Sequence, residues 1–525
     1  MRRCELLVAF GAAAVVAAFA VVAEGGAETA ELERLVREDV ARPVRPIGVN
    51  GQEPWNVQST WFMYPPSFAF PAVKGAQGYR VRIIDASGGV RRFDQKESLV
   101  SLEKCWSDLP TGRTEVWCDA FCGGGPWTAH WTCGRSFRVF WKAAPYRPGA
   151  YPRAPRSYAD AARRCCAYLM ASPWLRTFAA TGRPDPAYRL NSYPAKMDTA
   201  VIRLALLCGD IPLAKTAADY LISVSQAPDA PLGGFPPTYA GKEYTAGKYA
   251  GMNMLIYPAG AASAYLELHA ATGEAKYRDA ARRIAETYLR LQGSDGTWPL
   301  KAWEKDGSPV GANRLLPATV IALFESMEKL TGDARYRAAA DRAFGYYEGG
   351  PLRDWNWEGQ FEDVEPTGKY VNLTKHPACE LAIRLASRVP QDARRIAQAR
   401  ELLRFAEDQF VVWERPVRAE DGDLMALLGD GWDVAPAVVE QYSYRVPVDA
   451  SAAKMVTAYL ALYRVTGNPL DLAKARTLGD SIVRTQKADG RIPTIWATSA
   501  GASLQSDWIN CTAASIAALQ RLSKY

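Results

Sequence analysis

The sequence predicts a small β-sandwich followed by an all-α domain in which twelve helices close into two concentric rings. Three observations predict it. The apolar period changes from two to helical after Tyr146-Arg147-Pro148-Gly149. A Thr-Gly turn recurs through the helical part, and long and short connections alternate along it. With 525 residues, 48% hydrophobic and 23% charged, the chain is globular, can bury a large core and is too long for one small module.

The N-terminus reads as an export signal over 1–27: Arg2 and Arg3 precede an apolar run from Leu6 to Ala23, and small residues follow. The run is also long enough to stay as a membrane anchor, so the chain is expected to be exported, periplasmic or secreted, with an uncleaved anchor as the alternative. No membrane span is expected after it. Residues 28–54 read as a linker. The formal charge of +7 is spread without a dense basic block, which excludes nucleic acid as a default partner and leaves a weak preference for acidic ligands.

Residues 55–145 alternate apolar and polar, as in Tyr79-Arg80-Val81-Arg82-Ile83 and Phe137-Arg138-Val139-Phe140, with Gly and Pro between runs. The order is Phe68-Ala69-Phe70-Pro71, a Gly78–Ile83 strand, Leu109-Pro110-Thr111-Gly112, then Glu115-Val116-Trp117-Cys118-Asp119-Ala120. In this order the stretch resembles the fibronectin type III-like sandwiches fused to bacterial glycan-degrading enzymes. It departs from them in its cysteines. Cys105, Cys118, Cys122 and Cys133 read as one or two disulfides, before zinc, in an oxidising compartment. Cys165, Cys166, Cys208, Cys379 and Cys511 read as small buried thiols.

Twelve amphipathic segments follow over 155–525, beginning near Ser157, Pro194, Ile211, Ile256, Ala275, Leu315, Asp333, Asn372, Gln391, Pro447, Pro469 and Asp507. Thr272-Gly273-Glu274, Thr331-Gly332-Asp333, Thr466-Gly467-Asn468 and Cys208-Gly209-Asp210 each stop one helix and start the next. Long loops, at about 172–193, 227–254, 293–313, 348–371, 414–446 and 488–506, follow the odd-numbered helices, so all should lie on one face. The even helices, such as Ala318–Phe324 and Ala452–Ala461, are the less charged and should form an inner ring, with Trp508 to Leu522 completing it. Over this stretch the chain resembles the (α/α)6 toroids of six-hairpin glycosidases, uronyl hydrolases, polysaccharide lyases and sugar epimerases. The resemblance implies an active cleft where the long loops meet the inner helix N-termini.

Nine of the sixteen tryptophans lie in or beside those loops, and Trp303, Trp355, Trp357, Trp432 and Trp496 are expected to wall a sugar-binding cleft. Glu358, Glu362 and Asp363 lie among aromatics that favour a protonated general acid, while Asp198, Asp449 and Asp507 begin inner helices, where a carboxylate stays ionised as a base or simply caps. A glycosidase pair should come from different loops, ~5–5.5 Å apart if retaining or ~6.5–9.5 Å if inverting. An alternative set is His376, with Glu380 at i+4, and Tyr444 as proton-removing groups, and Arg314, Arg445, Asn313 and Tyr442 to hold a uronate. His130 and His269 read as structural. The expectation is an exported, monomeric glycoside hydrolase on a polysaccharide or oligosaccharide, acidic by preference, with no cofactor or metal. Its alternatives are a uronate lyase or epimerase, and a non-catalytic glycan-binding protein.

Overall fold

A computed structural model describes residues 28–48, 51–122, 132–241, 247–388, 390–415, 417, 421–429, 431–498 and 508–525. The stretch expected as an export signal, His130 and Asp507 lie outside the described residues. The stretch expected as a linker contains a helix over 28–40, which buries Leu32 and Val36 in the main core and leaves Glu31, Arg34 and Glu38 in water. This apolar spacing of four residues is an ordinary amphipathic stripe, hidden in the sequence by its charged neighbours.

The β part has seven strands: β1 (Trp61–Phe62), β2 (Ser67–Ala69), β3 (Ala76–Ile84), β4 (Val90–Gln95), β5 (Leu99–Ser101), β6 (Gly112–Cys122) and β7 (Thr132–Lys142). One sheet runs β1-β7-β6-β3-β4 and the other pairs β2 with β5. Alternation aims Tyr79, Val81 and Ile83 of β3 and Val116, Cys118 and Ala120 of β6 inward, where Phe68 and Val100 of the small sheet meet them in one core. Cys122 and Cys133 are bonded, while Cys105 and Cys118 are free.

The twelve helices are α1 (Tyr158–Met170), α2 (Pro194–Cys208), α3 (Ile211–Ser223), α4 (Pro258–Thr272), α5 (Ala275–Leu291), α6 (Ala318–Thr331), α7 (Ala334–Gly349), α8 (Lys375–Ser387), α9 (Ala393–Phe410), α10 (Asp449–Thr466), α11 (Pro469–Thr485) and α12 (Ile509–Leu522). The hairpin turns explain their ends. Gly209, Gly273, Gly332 and Gly467 all sit at φ between 67° and 80°, the left-handed cap that glycine adopts without strain. Asp210, Asp333 and Asn468 then accept the amides of Leu213, Arg335 and Leu470 at 2.9–3.0 Å, capping the next helix.

The even helices contact one another in sequence, α2-α4-α6-α8-α10-α12, and α12 returns to α2, so the inner ring closes. The odd helices pack outside, each on the even helix before it, with α1 on α12. The molecule is therefore a β-sandwich domain joined to an (α/α)6 toroid. Gly479 of α11 lies close under α12, where a Cβ would meet Leu522 Cδ1 at 2.3 Å. Cys166 and Cys208, expected as thiols, are bonded and tie α1 to the end of α2.

The long loops share one face and pair around its rim. Met252–Met254 ladders with Lys301–Trp303, Trp432 bridges Ala497, and Val448 bridges Ile495. Three of them also carry helices, Pro173–Thr181, Pro351–Asp354 and Gly422–Leu428. The first starts on Ser172-Pro173, stops on Gly182 and sets Phe178 edge-on to Tyr220 at 5.7 Å.

Candidate functional site

The N-termini of five inner helices bring polar side chains to the ring centre: Lys196 from α2, Tyr257 before α4, Lys375 and His376 from α8, Asp449 from α10, and Trp508 and Cys511 at α12. The 348–371 loop lowers Glu362 into this centre. Lys196 Nζ donates to its Oε1 at 2.5 Å, the Tyr257 hydroxyl donates to Oε2, and the Tyr239 hydroxyl donates to its backbone carbonyl at 2.9 Å. Burial opposes the Glu362 charge, but Lys196 and Tyr257 outweigh it and hold the carboxyl below its ordinary value. Asp363 opens to solvent beside it; partial desolvation in the funnel and the Glu362 charge raise its proton affinity.

Glu440, half-buried on the strand Ala437–Gln441, completes the group. Its carbonyl accepts from Lys375 Nζ at 2.8 Å and from the Thr374 hydroxyl at 2.7 Å, which fixes the strand against α8. Desolvation raises its carboxyl, and Asp363 and Glu362 add to the rise against the pull of Lys375 and Lys196. One cluster thus holds an anchored, ionised carboxylate and two carboxyls that keep their protons longer. Glu440 has no sequence motif; its only signal is an apolar strand before an inner helix.

His376 keeps 47% of its side chain open to solvent, and its Nε2 lies 3.2 Å from Glu380 Oε1. Burial opposes the charge on Glu380, but Lys454 at 3.1 Å and His376 keep it ionised. An ionised acceptor requires a proton on Nε2, which leaves Nδ1 with the lone pair. Desolvation and Lys454 hold the imidazole below its usual value, so it is neutral at pH 7.

Aromatic faces line the same funnel. Tyr239 stacks on Tyr249 at 4.5 Å, Lys301 Nζ lies 5.0 Å over Tyr249, and Lys196 Nζ lies 5.2 Å over Trp508. Among the described residues no group of three or more His, Cys, Asp and Glu could hold a metal ion.

Several expected residues lie elsewhere. Trp355, Trp357, Trp432 and Trp496 are buried, Trp357 and Trp432 completely, and do not wall a cleft. The reason is area: an indole is the largest apolar surface available, and rim loops without a core of their own pack on it. Trp355 sits between Trp55 and Phe405, and Trp357 next to Trp355 and Tyr347. Trp303 alone of the five is half-exposed, with Lys305 over its ring.

Glu358 is buried and accepts the Asn372 amide at 3.1 Å, which ties the loop to α8 rather than facing the funnel. Asp198 lies in the second turn of α2, buried, with Oδ2 lacking a hydrogen-bond partner; it neither caps nor opens to the centre, and burial raises it well above the carboxylate range. Asp449 does reach the centre, but it is buried at the first position of α10, where it accepts the Ser515 hydroxyl at 2.8 Å and the Ala450 amide at 2.7 Å. Arg314 pairs with Asp295 at 2.6 Å, away from the centre. Arg445 lies 5.3 Å over the Tyr442 ring, and Tyr442 bonds Ser59 and Gln409 at 2.7 Å, so both sit at the seam with the β part. Tyr444 is 41% exposed on the strand Tyr444–Pro447. His269 is structural, its Nδ1 bonded to the Glu274 carbonyl.

No protein-family model matches the chain, and no curated protein sequence does. Solved structures do resemble it. A family 76 glycoside hydrolase from a bovine Bacteroides thetaiotaomicron strain aligns at TM-score 0.48 and 10% identity, over 85% of this chain and 93% of its own. A cellobiose 2-epimerase from Spirochaeta thermophila aligns at 0.47 and 14%, over 69% and 96%. An unsaturated glucuronyl hydrolase specific for heparin aligns at 0.45 and 11%, over 70% and 97%. The fold itself rests on the ring contacts given above.

Proposed function

We propose that the chain is an exported carbohydrate-active enzyme, a glycoside hydrolase whose chemistry lies in the ring centre. The observation that carries this reading is the grouping of three carboxyls by the inner helix N-termini: Glu362 is held ionised by Lys196 and Tyr257, while exposed Asp363 and half-buried Glu440 are raised. Acid–base cleavage of a glycosidic bond needs one carboxyl that gives a proton and one that takes it. In this reading Glu440 donates the proton to the leaving oxygen. Asp363, more open and under the pull of Lys196 and Lys301, acts as base or nucleophile, and Glu362 is a positioning residue whose charge raises both. Tyr249, Tyr257 and Trp508 offer half-exposed rings on which sugar faces can lie.

Two disulfides support an oxidising compartment and so the export reading. Among the described residues, no helix is long and apolar enough to cross a membrane. The strand order of the β part supports reading 55–145 as a fibronectin type III-like module and 155–525 as the catalytic unit. A second reading, uronate elimination or epimerisation, is favoured by one observation: neutral, solvent-facing His376 with its lone pair on Nδ1.

The test is a screen of neutral and uronic polysaccharides, reading new reducing ends and unsaturated-uronate absorbance together. The hydrolase reading expects reducing ends without absorbance, and a loss of about 10²–10⁴-fold in Glu440→Gln. Absorbance that vanishes in His376→Asn while Glu440→Gln stays active would replace it with elimination.

A further inference from the structure

We propose that the outer face of the five-stranded sheet is a second glycan-binding surface, separate from the ring centre, that takes an acidic polysaccharide chain. The choice of a polysaccharide rests on the carbohydrate reading above; the surface rests on the sheet.

The register carries the argument. Arg92 of β4 stands opposite Arg82 of β3, Arg82 opposite Trp117 of β6, and Trp117 opposite Phe137 of β7, so four side chains form one row across the sheet. Their neighbours Val81, Ile83, Val116 and Cys118 face the core, so the row faces outward. Trp117 and Phe137 stack at 4.7 Å and 20°, and the Arg82 guanidinium lies 5.1 Å from the Trp117 ring. Phe137 stays 56% exposed. An apolar ring held open by a stacked neighbour is pre-ordered for the flat face of a sugar.

Charge selects the class of sugar. The acids on this face are occupied: Asp94 by Arg80 at 3.0 Å, Asp119 by Arg135 at 2.7 Å, and Glu115 by Arg113 at 2.6 Å and the Trp117 indole N–H at 2.9 Å. Arg82 and Arg92 have no ion pair among the described residues. Two guanidiniums without an ion pair, carried on adjacent strands whose backbones run about 4.8 Å apart, beside an open aromatic ring, suit the carboxylates of a polyuronate, which Arg binds as a fork. A two-fold dimer through this face would bring two such positive patches together.

Native gels containing polygalacturonate or dextran test this with the full chain, alone and combined with Glu440→Gln to keep the polymer intact. Retardation is expected in polygalacturonate and not in dextran. It should weaken about tenfold in Phe137→Ala, which changes no charge, and further in Arg82→Gln/Arg92→Gln, while Arg163→Gln/Arg394→Gln on the outer ring leaves it intact. Equal retardation in both polymers, no retardation, equal loss in the outer-ring control, or unchanged retardation in the sheet variants would each overturn the proposal. So would sedimentation showing a dimer that Phe137→Ala dissociates. Reducing-end assays on short oligosaccharides report the ring centre separately: sheet variants should cleave them normally, and failure of cleavage with retardation intact would sink the hydrolase reading alone.

Discussion

Two clusters of buried charge, one at the seam and one at the ring centre, are finished differently. At the seam between the β part and the toroid, Asp39 pairs with Arg404 at 3.0 Å and Lys474 at 3.4 Å. Lys474 also pairs with Glu407 at 2.8 Å, and Asp471 with Arg400. The Tyr64 hydroxyl lies 2.9 Å from Asp39 Oδ2 and 3.2 Å from Glu407 Oε2, the oxygens that face Lys474, and the Trp413 indole N–H donates to Glu407 Oε1 at 3.0 Å. Buried charge here is closed by partners, the arrangement a structural network requires. At the ring centre one carboxylate, Glu362, is closed in the same way, while Asp363, Glu440 and His376 face the opening with shifted proton affinities. Most of the seam's charges are paired, whereas at the ring centre partly open titrating groups surround one anchored charge, the contrast on which the proposed site rests.

The sharpest way to break this comparison is at the seam. Lys474→Met leaves Glu407 and Asp39 short of a buried cation, and unfolding should become easier by about 3–5 kcal/mol in denaturant titration. A loss under ~1 kcal/mol would show that the seam is wet and its pairs weak. Next in size, Cys166→Ser/Cys208→Ser should cost about 2–4 kcal/mol by opening the α1–α2 tie, without altering activity on short oligosaccharides.

A third effect depends on pH. Asp408 is buried at the seam, where the Met63 and Tyr64 amides donate to it at 2.6 and 2.9 Å; burial nevertheless raises its carboxyl to about 7. Its folded value lies above the unfolded 3.8. Its contribution is therefore fully present below about pH 4 and declines as pH rises through 7, with a slope up to about 1.4 kcal/mol per unit. Unfolding free energies of wild type minus Asp408→Asn, taken at half-unit steps across that window, should show the decline and flatten above it; a difference independent of pH would contradict the assignment. Smallest is an exposed pair, Arg394 with Glu348 on the outer ring at 3.1 Å, where Arg394→Ala should cost under ~1 kcal/mol.

What could be read from residues alone follows the same division. The helices, their glycine caps and the single loop face depend on local periodicity and turn chemistry, so the apolar period and the Thr-Gly turns disclose them. The 28–40 helix was hidden because its apolar stripe is only a few residues long. Site residues depend on which side of a helix or loop turns inward, and a sequence does not state that. Glu358 and Glu362 are four residues apart, yet one ties the Asn372 amide and the other meets Lys196. Asp198 and Lys196 are two apart on α2 and face opposite ways. Tryptophan in a long loop reads as a sugar platform, but in loops that must pack on themselves the same surface becomes core.

The most direct measurement of the central claim is the pH–rate profile of wild type and Glu440→Gln on whichever glycan the screen finds. A raised Asp363 and a raised Glu440 should make the wild-type profile a bell, its acid limb set by ionising Asp363 above 3.8 and its alkaline limb by losing the Glu440 proton above 4.5. Glu440→Gln should lower the rate about 10²–10⁴-fold and abolish the alkaline limb, with the acid limb unmoved. A Glu440→Gln profile that keeps both limbs at near wild-type rate would contradict the assignment of catalysis to this centre.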